Sequence, residues 1–285
     1  MAKKPLDSSI FRCTHCESIS LTLRKNMLEC NQCHANFPSY QNKFTFIEVD
    51  ETIVTDGLDK IKYFVKKYRK IYNLIVDIIS PVYPQVSMHL RRILKKEIEG
   101  KNLLAINLGS GYTNVSDDVY NVDLLPYDSV NVICDIENLP FKDNSIDYIL
   151  NVAVLEHVPN APAAIAEIYR VLKPGGKLYC FIPFMQAFHA SPYDFNRYTY
   201  EGMKIQFQEF DIKKIHSIGP TSGMLWILQE WLAMVLSFGI KPLHTILHIF
   251  FMLTTFPIKF LDVLLQYHPF AKNIASGFSV ECVKK

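Results

Sequence analysis

No charge of one sign dominates this sequence. Thirty Lys and Arg oppose 28 Asp and Glu, a formal net charge of +2 over 285 residues. A global field that would gather nucleic acid is therefore missing, and nucleic acid is not an expected partner. The first residues, MAKKPLDSSIFRC, carry lysines with no apolar stretch behind them, so a secretory signal is not expected. A reducing cytoplasm is the expected home, and disulfides are not expected. Long clean apolar runs are missing too. Gln229 and Glu230 interrupt GMLWILQEWLAMVLSFGI, and LHTILHIFFMLTTFPI carries His244 and His248; neither run is expected to span a bilayer. Nucleotide signatures are incomplete. After Gly109-Ser110-Gly111 no G-K-[ST] follows, and Asn114 stands where a dinucleotide fingerprint has its third glycine.

What is present begins with cysteine. Of seven cysteines, four fall in two C-x-x-C turns, Cys13/Cys16 and Cys30/Cys33, thirteen residues apart. Two tight turns offering two thiolates each suit a tetrahedral, structural zinc site with no position left for water. A segment this short has little core, so the metal would supply its stability. His15 and His34 lie in or beside the turns, either as solvated histidines or in place of a neighbouring cysteine. Cys134, Cys180 and Cys282 sit among apolar residues and read as core. Residues 1–50 are thus expected to form a zinc ribbon. Within 51–100, a basic amphipathic helix is expected at 58–79, reading either as a solvated surface helix or as one lying on an anionic membrane. A second helix is expected at 85–98, ending at Gly100.

From residue 101 short apolar strands alternate with helices. Strands are expected at 103–108, 119–123, 130–134, 146–152 and 177–183, and a helix at about 161–172, stopped by Gly175-Gly176. Strands at 210–219 and 277–285 complete the set. This alternation implies an α/β fold, a mostly parallel sheet with helices on both faces that binds ligands at the carboxyl ends of its strands. Two glycines let a ligand approach the backbone at 109–111. Asp123 ends the second strand, where an acid can accept both ribose hydroxyls, a feature that dinucleotide enzymes share. Asp135, ending the third, is placed to accept an adenine amino group, with Ile136 packing on the ring.

The strand ending in INLG, the G-x-G turn, Asp123, D-I-E-N-L-P-F, LEHV and RVLKPGG together resemble a class I S-adenosylmethionine-dependent methyltransferase with a UbiE-like (methyltransferase type 11) core. The resemblance spans about eighty residues. It implies a Rossmann-like sheet and S-adenosylmethionine as cofactor. Asn107, Gly109, Ser110 and Gly111 would surround its amino-acid part, Asp123 and Leu124 the ribose, and Asp135 and Ile136 the adenine. Asn151 would flank the sulfonium. Asn107 departs from the family, which has Asp or Glu there, and brings no negative charge to the cofactor ammonium. His157 in LEHV is expected to be positional. The N-terminal module loosely resembles zinc ribbons found in front of some methyltransferases, ribosomal RNA guanine methyltransferases among them.

Methyl transfer is an in-line displacement governed by alignment, with a base needed when oxygen attacks. The loop after strand five, FIPFMQAFHASPYDFNRYTY, supplies His189 as the expected general base. Asp194 would orient it or a substrate hydroxyl, and Arg197 would hold an anionic group. The alternative is a structural Asp194–Arg197 pair beside a solvated histidine. This loop softly resembles uncharacterised methyltransferases linked to surface glycans.

The methyltransferase core is expected to comprise 101–219 and 276–285. Between them, 220–275 holds the excess apolar residues that raise the mean hydropathy to +0.08. Three short helices broken by Pro242 and Pro257 are expected, serving as a lid, a dimer surface or a monotopic membrane anchor, or else as an added core layer. Trp226 and Trp231 suit a membrane interface. The leading expectation is methylation of a lipid, a lipid-linked glycan or another hydrophobic small acceptor, with peripheral contact at the inner membrane face. RNA methylation through the ribbon and an inactive cofactor-binding scaffold are the alternatives, and oligomeric state is unspecified.

Overall fold

The computed structural model describes residues 6–40, 43–48, 85–189 and 193–285. The helix expected at 58–79 lies outside them. The N-terminal strands are β1 (Leu21–Arg24), β2 (Met27–Cys30), β3 (Asn36–Tyr40) and β4 (Lys43–Thr45). Helix α1 (Gln85–Ile93) continues into a wider π turn, Leu94–Ile98, and Gly100 follows in the left-handed conformation. Its Ile93, Leu94 and Ile98 bury against Tyr148, Leu150 and Tyr179 of the sheet.

Then come β5 (Ala105–Leu108), β6 (Val119–Asp123), β7 (Val132–Ile133), β8 (Ile146–Val152), α2 (Ala161–Val171), β9 (Leu172–Pro183), α3 (Tyr200–Gln206), β10 (Asp211–Ile218) and β11 (Gly277–Val283). The sheet order is β1-β2-β3-β4-β7-β6-β5-β8-β9-β11-β10. Strands β7, β6, β5, β8 and β9 run parallel, and β11 inserts antiparallel between β9 and β10. Strand β5 is buried at every residue, as a central strand covered on both faces should be.

Two boundaries differ from the sequence reading. Helix α2 stops at Val171, and β9 begins at once at Leu172, where Ile146 pairs with it. Gly175 (φ +76°) and Gly176 do not stop the helix. They form an irregular bend inside the strand, where a side chain at 176 would meet the Lys173 carbonyl at 2.7 Å. Strand β7 is only two residues long, because β4 and β6 each register with Val132 and Ile133 alone.

The ribbon shares the core of the central domain. Phe11 is fully buried, with ring centroids 4.7 Å from Phe44, 5.1 Å from Phe46 and 5.5 Å from Phe141. Strand β4 extends the sheet in parallel beside β7. Arg12, 7% exposed, donates to the Leu139 carbonyl and pairs with Glu167 at 3.2 Å.

The insert begins at Gly219 (φ +52°) with α4 (Pro220–Ser237), followed by α5 (Lys241–Thr255), a 3-10 stretch Phe256–Leu261 and α6 (Asp262–Leu265). Pro242 and Pro257 stand in the first turns of their helical stretches, where the missing N–H costs nothing. They start segments and do not break them, so Lys241–Leu265 is a single 25-residue helical stretch, long and apolar enough to cross a membrane by length and composition. The polar residues that argued against such a span are tied across the two helices. Gln229 donates to Thr255 at 2.6 Å, and Glu230 meets His244 at 3.1 Å and His248 at 3.0 Å. Helix α5 buries no residue, and Phe238, Leu264 and Tyr267 are 85%, 73% and 81% exposed. An added core layer is excluded for this helix.

Asp262 fixes the root of the insert. Its fully buried carboxylate accepts from Thr221 N (2.6 Å), Ser222 N (3.0 Å) and Ser222 Oγ (2.6 Å) at the start of α4. It thereby satisfies N–H groups that a helix start leaves open, and its charge faces the positive end of the helix.

Candidate active site at the strand tips

Gly109 sits just past β5 at φ +69°, where a Cβ would collide with both γ-methyls of Val154, the farther at 2.6 Å. Only glycine fits between that valine and the turn. Gly111, at φ +54°, has open space where a side chain would stand. The turn is pinned from β6: Gly109 N and Ser110 N donate to the Val122 carbonyl at 2.8 and 3.2 Å. Asp123 Oδ2 accepts from Gly111 N at 2.7 Å, and its Oδ1 accepts from Leu125 N at 3.0 Å. Burial pushes the Asp123 carboxyl above its usual value despite those N–H groups. Leu124 beside it is exposed.

Asp135 follows β7 with an exposed side chain whose Oδ1 accepts from Glu137 N at 2.9 Å, while Ile136 packs half-buried on the core. Asn107, 6% exposed, donates to Asn121 at 3.5 Å. Asn151 pairs in register with Leu108, one residue before the glycine turn. It is fully buried, its Oδ1 takes the Cys180 thiol at 3.3 Å, and its Nδ2 has no protein partner. An orphaned amide donor beside an open glycine turn and a strand-tip carboxylate fits the cofactor that the sequence motifs imply. The structure thus places all of these residues on the tips of four adjacent parallel strands, as the α/β reading requires.

The second group lies on the loop after β9. Asp194 forms two hydrogen bonds with Arg197, at Nη1 and at Nη2, the latter 2.5 Å long. Asp194 also accepts the backbone N–H of His189 at 3.0 Å. Against the upward push of burial, Arg197 and that N–H hold the Asp194 carboxyl below its usual value. The His189 ring stands 3.9 Å from Asp194, beyond hydrogen-bond reach. Its Nδ1 faces the Ala187 carbonyl at 3.0 Å and Arg197 Nη2 at 3.3 Å. Asp194 therefore orders the loop through the backbone and the guanidinium. Trp226 of α4 lies 5.4 Å from the His189 ring, and a side chain at Gly223 would meet the Met185 carbonyl at 2.8 Å. The insert is rooted against this loop.

Sequence reasoning treated LEHV as scaffold and passed over Glu156. The structure buries Glu156 completely, with neither carboxylate oxygen hydrogen-bonded within the protein, and burial pushes it up to about 7. The available signal was an acid next to a histidine directly after a parallel strand.

At the N-terminus, Cys13, Cys16, Cys30 and Cys33 present sulfurs all within 4.8 Å of one another, with Cys13–Cys33 and Cys16–Cys30 both at 3.6 Å. Thiolates bound tetrahedrally at about 2.3 Å are roughly 3.8 Å apart, so the set fits zinc. The two turns repeat each other. Glu17 N donates to the Cys13 carbonyl and His34 N to the Cys30 carbonyl, and both residues have φ near +60°. Burial pushes Cys13 up to about 12; at Cys30 the N–H groups of Cys33 and Gln32 outweigh burial and bring it down to about 6. His15 packs on Phe37 and His34 is exposed, so neither replaces a cysteine.

Grooves of about 260 and 300 Å³ lie at the other end of the sheet. The first gathers Arg92, Lys96, Lys177, Lys213 and Lys214, partly balanced by Glu97, 2.9 Å from Lys177, and by Glu281. They belong to the amino ends of the strands, where open α/β sheets place no ligand chemistry.

A parallel sheet of order β7-β6-β5-β8-β9-β11-β10, with the last insertion antiparallel and a glycine turn and acids at its tips, defines the class I methyltransferase fold. Residues 90–180 match the family described as "Methyltransferase domain". Among similar proteins is the ubiquinone/menaquinone biosynthesis C-methyltransferase UbiE of Rickettsia prowazekii (strain Madrid E), 26% identical over 159 residues, covering 44% of this chain and 64% of that protein. The demethylmenaquinone methyltransferase of Listeria monocytogenes serotype 4b (strain CLIP80459) is 41% identical over 63 residues, covering 22% and 24%. The likeness thus spans less than two thirds of these relatives' length. Among solved structures, phosphoethanolamine N-methyltransferase 2 of Haemonchus contortus with S-adenosyl-L-methionine is 18% identical, covering 69% of this chain and 52% of that one, at a TM-score of 0.42.

Proposed function

We propose that this chain transfers the methyl group of S-adenosylmethionine to a hydrophobic, lipid-type acceptor at the inner face of the cytoplasmic membrane. The cofactor supplies an activated methyl group when bound. Asp123 would hold the ribose, Asp135 and Ile136 the adenine, and Asn107 and the 109–111 turn the amino-acid end. The loop bearing His189, Asp194 and Arg197 would hold the acceptor, with His189 as the base when the acceptor is a hydroxyl. Zinc in the four-cysteine site would be structural, staples the ribbon and takes no part in transfer.

The observation that carries the acceptor class is the insert. It rises from the same end of the sheet as the cofactor residues, touches the His189 loop through Trp226, and turns outward an apolar helix none of whose residues is fully buried. Such a face suits a bilayer surface, because its polar residues are paired inside the hairpin. The relatives named for quinone methylation support the same class. An RNA acceptor would call for basic residues and stacking aromatics beside the cofactor, whereas the basic groove lies at the opposite end.

Incubating membrane extract with methyl-labelled S-adenosylmethionine tests this reading. Label is expected in the organic phase, and its appearance only in RNA or protein would overturn the acceptor class. Failure of the cofactor to bind at all by calorimetry would leave only a scaffold.

A further inference from the structure

Glu156, His157 and His189 come from two segments, the turn after β8 and the loop after β9, and converge on one point. Their ligand atoms all lie within 4.8 Å of one another. Glu156 Oε1 is 3.6 Å from His157 Nε2 and 4.0 Å from His189 Nε2. Both separations are too long for hydrogen bonds, and both carboxylate oxygens are buried without a partner. A carboxylate withdrawn from water with nothing to accept from is costly and calls for a bound cation or proton.

The histidines indicate which. His157 Nδ1 faces the Tyr193 carbonyl at 2.5 Å, and His189 Nδ1 faces the Ala187 carbonyl at 3.0 Å. A carbonyl only accepts, so His157 Nδ1 carries the proton and its Nε2 keeps a lone pair 3.6 Å from Glu156 Oε1; His189 keeps an Nε2 lone pair in the tautomer whose Nδ1 donates to its nearer neighbour, the Ala187 carbonyl. Arg197 Nη2 stands farther from that nitrogen, at 3.3 Å, and also donates to Asp194. Metal-ligating histidines are fixed in this way, the remote ring nitrogen donating to a backbone carbonyl. Ligand atoms held tetrahedrally about 2.1 Å from a common ion stand roughly 3.4 Å apart, so separations of 3.6 and 4.0 Å need only a small closure of the two segments.

We propose that Glu156, His157 and His189 bind a divalent cation of the zinc, cobalt or nickel kind at the carboxyl ends of β8 and β9. Two imidazoles and one carboxylate favour these borderline ions over magnesium or calcium, and three ligands leave positions open for water or for an oxygen of an acceptor. The site is separate from the four-cysteine centre and stands whether or not the chain transfers methyl groups; with the ion bound His189 is a ligand, and its role as a base belongs to the ion-free protein.

Equilibrium dialysis of the full chain against Zn²⁺, followed by metal counting, tests it without cofactor or substrate. Two ions per chain are expected, one in the ribbon and one here. Glu156→Gln keeps the shape and removes the charge; His189→Ala removes a loop ligand with little risk to folding. Each is expected to weaken the second ion at least tenfold and leave the first in place, with unchanged far-ultraviolet dichroism. Asp123→Ala is expected to retain both ions while losing S-adenosylmethionine, which separates this site from the cofactor reading. One ion in the wild type, or a second ion held equally by both variants, would overturn the proposal.

Discussion

Asp123→Ala sets the cofactor assignment against simple structural need. In the free protein the carboxylate takes the N–H groups of Gly111 and Leu125, yet burial raises its pKa overall. An acid whose folded pKa is raised contributes stability only below its unfolded value, and that contribution is lost as pH rises through the folded pKa. At pH 7 the ionised group is therefore a net burden on the fold. Alanine relieves it, and Gly111 and Leu125, both only half-buried, can turn their N–H groups to water. Unfolding free energy should move by no more than ~1 kcal/mol, since each released neutral donor costs about that much and the relieved charge offsets it. Cofactor binding should respond very differently. Two ribose hydroxyls donating to a charged acceptor are worth roughly 1.5–3 kcal/mol each, so affinity should fall by about 10²-fold or more. Calorimetric titration with S-adenosylmethionine beside urea unfolding of the same preparations reads both. An affinity loss below tenfold, or a stability loss as large as the affinity loss, would refute the assignment of Asp123 as a ligand-holding residue.

Gly109→Ala should destabilise the fold by about 2–4 kcal/mol, combining left-handed strain with overpacking against Val154; adding Val154→Ala should restore part of that in denaturant melts, and full additivity would contradict the close approach. A strong chelator should release one zinc from the four-cysteine site and lower the melting temperature of the whole chain, because Phe11, Phe37, Phe44 and Phe46 belong to the shared core; a melting curve that kept its main transition would contradict that sharing. Asp262→Ala should cost about 3 kcal/mol by removing the buried acceptor of three hydrogen bonds, seen as early protease cleavage in 220–275. Vesicles containing anionic lipid should carry the wild type upward on flotation, and Phe238→Asp with Leu264→Asp should stay at the bottom; equal flotation of both would remove the insert as the membrane contact.

The strand tips were legible because their chemistry is written locally. Asp123 and Asp135 each end an apolar run, and Gly109 marks the turn, so residue order alone located them. The bend at Gly175-Gly176 was misread, because paired glycines after a helix look the same whether they end it or kink the next strand; only the pairing of Leu172 with Ile146 decides. The triangle of Glu156, His157 and His189 was out of reach for a different reason. More than thirty residues separate its halves, and the order β5-β8-β9 closes the gap. The same holds for Glu230 with His244 and His248. Read singly, they spoil an apolar run; read across the hairpin, they cancel one another.

The seam between β4 and β7 bears on how the molecule can be taken apart. A two-residue strand is a poor place to end a sheet, since its open amides would invite any passing extended chain. Here the cysteine-bearing segment closes that border and lends it Phe44 and Phe46. Cutting away the first 48 residues would strip a flank next to Asp135, so a trimmed protein should aggregate before it could be assayed, and the chain's smallest workable unit includes the segment that carries the four clustered cysteines.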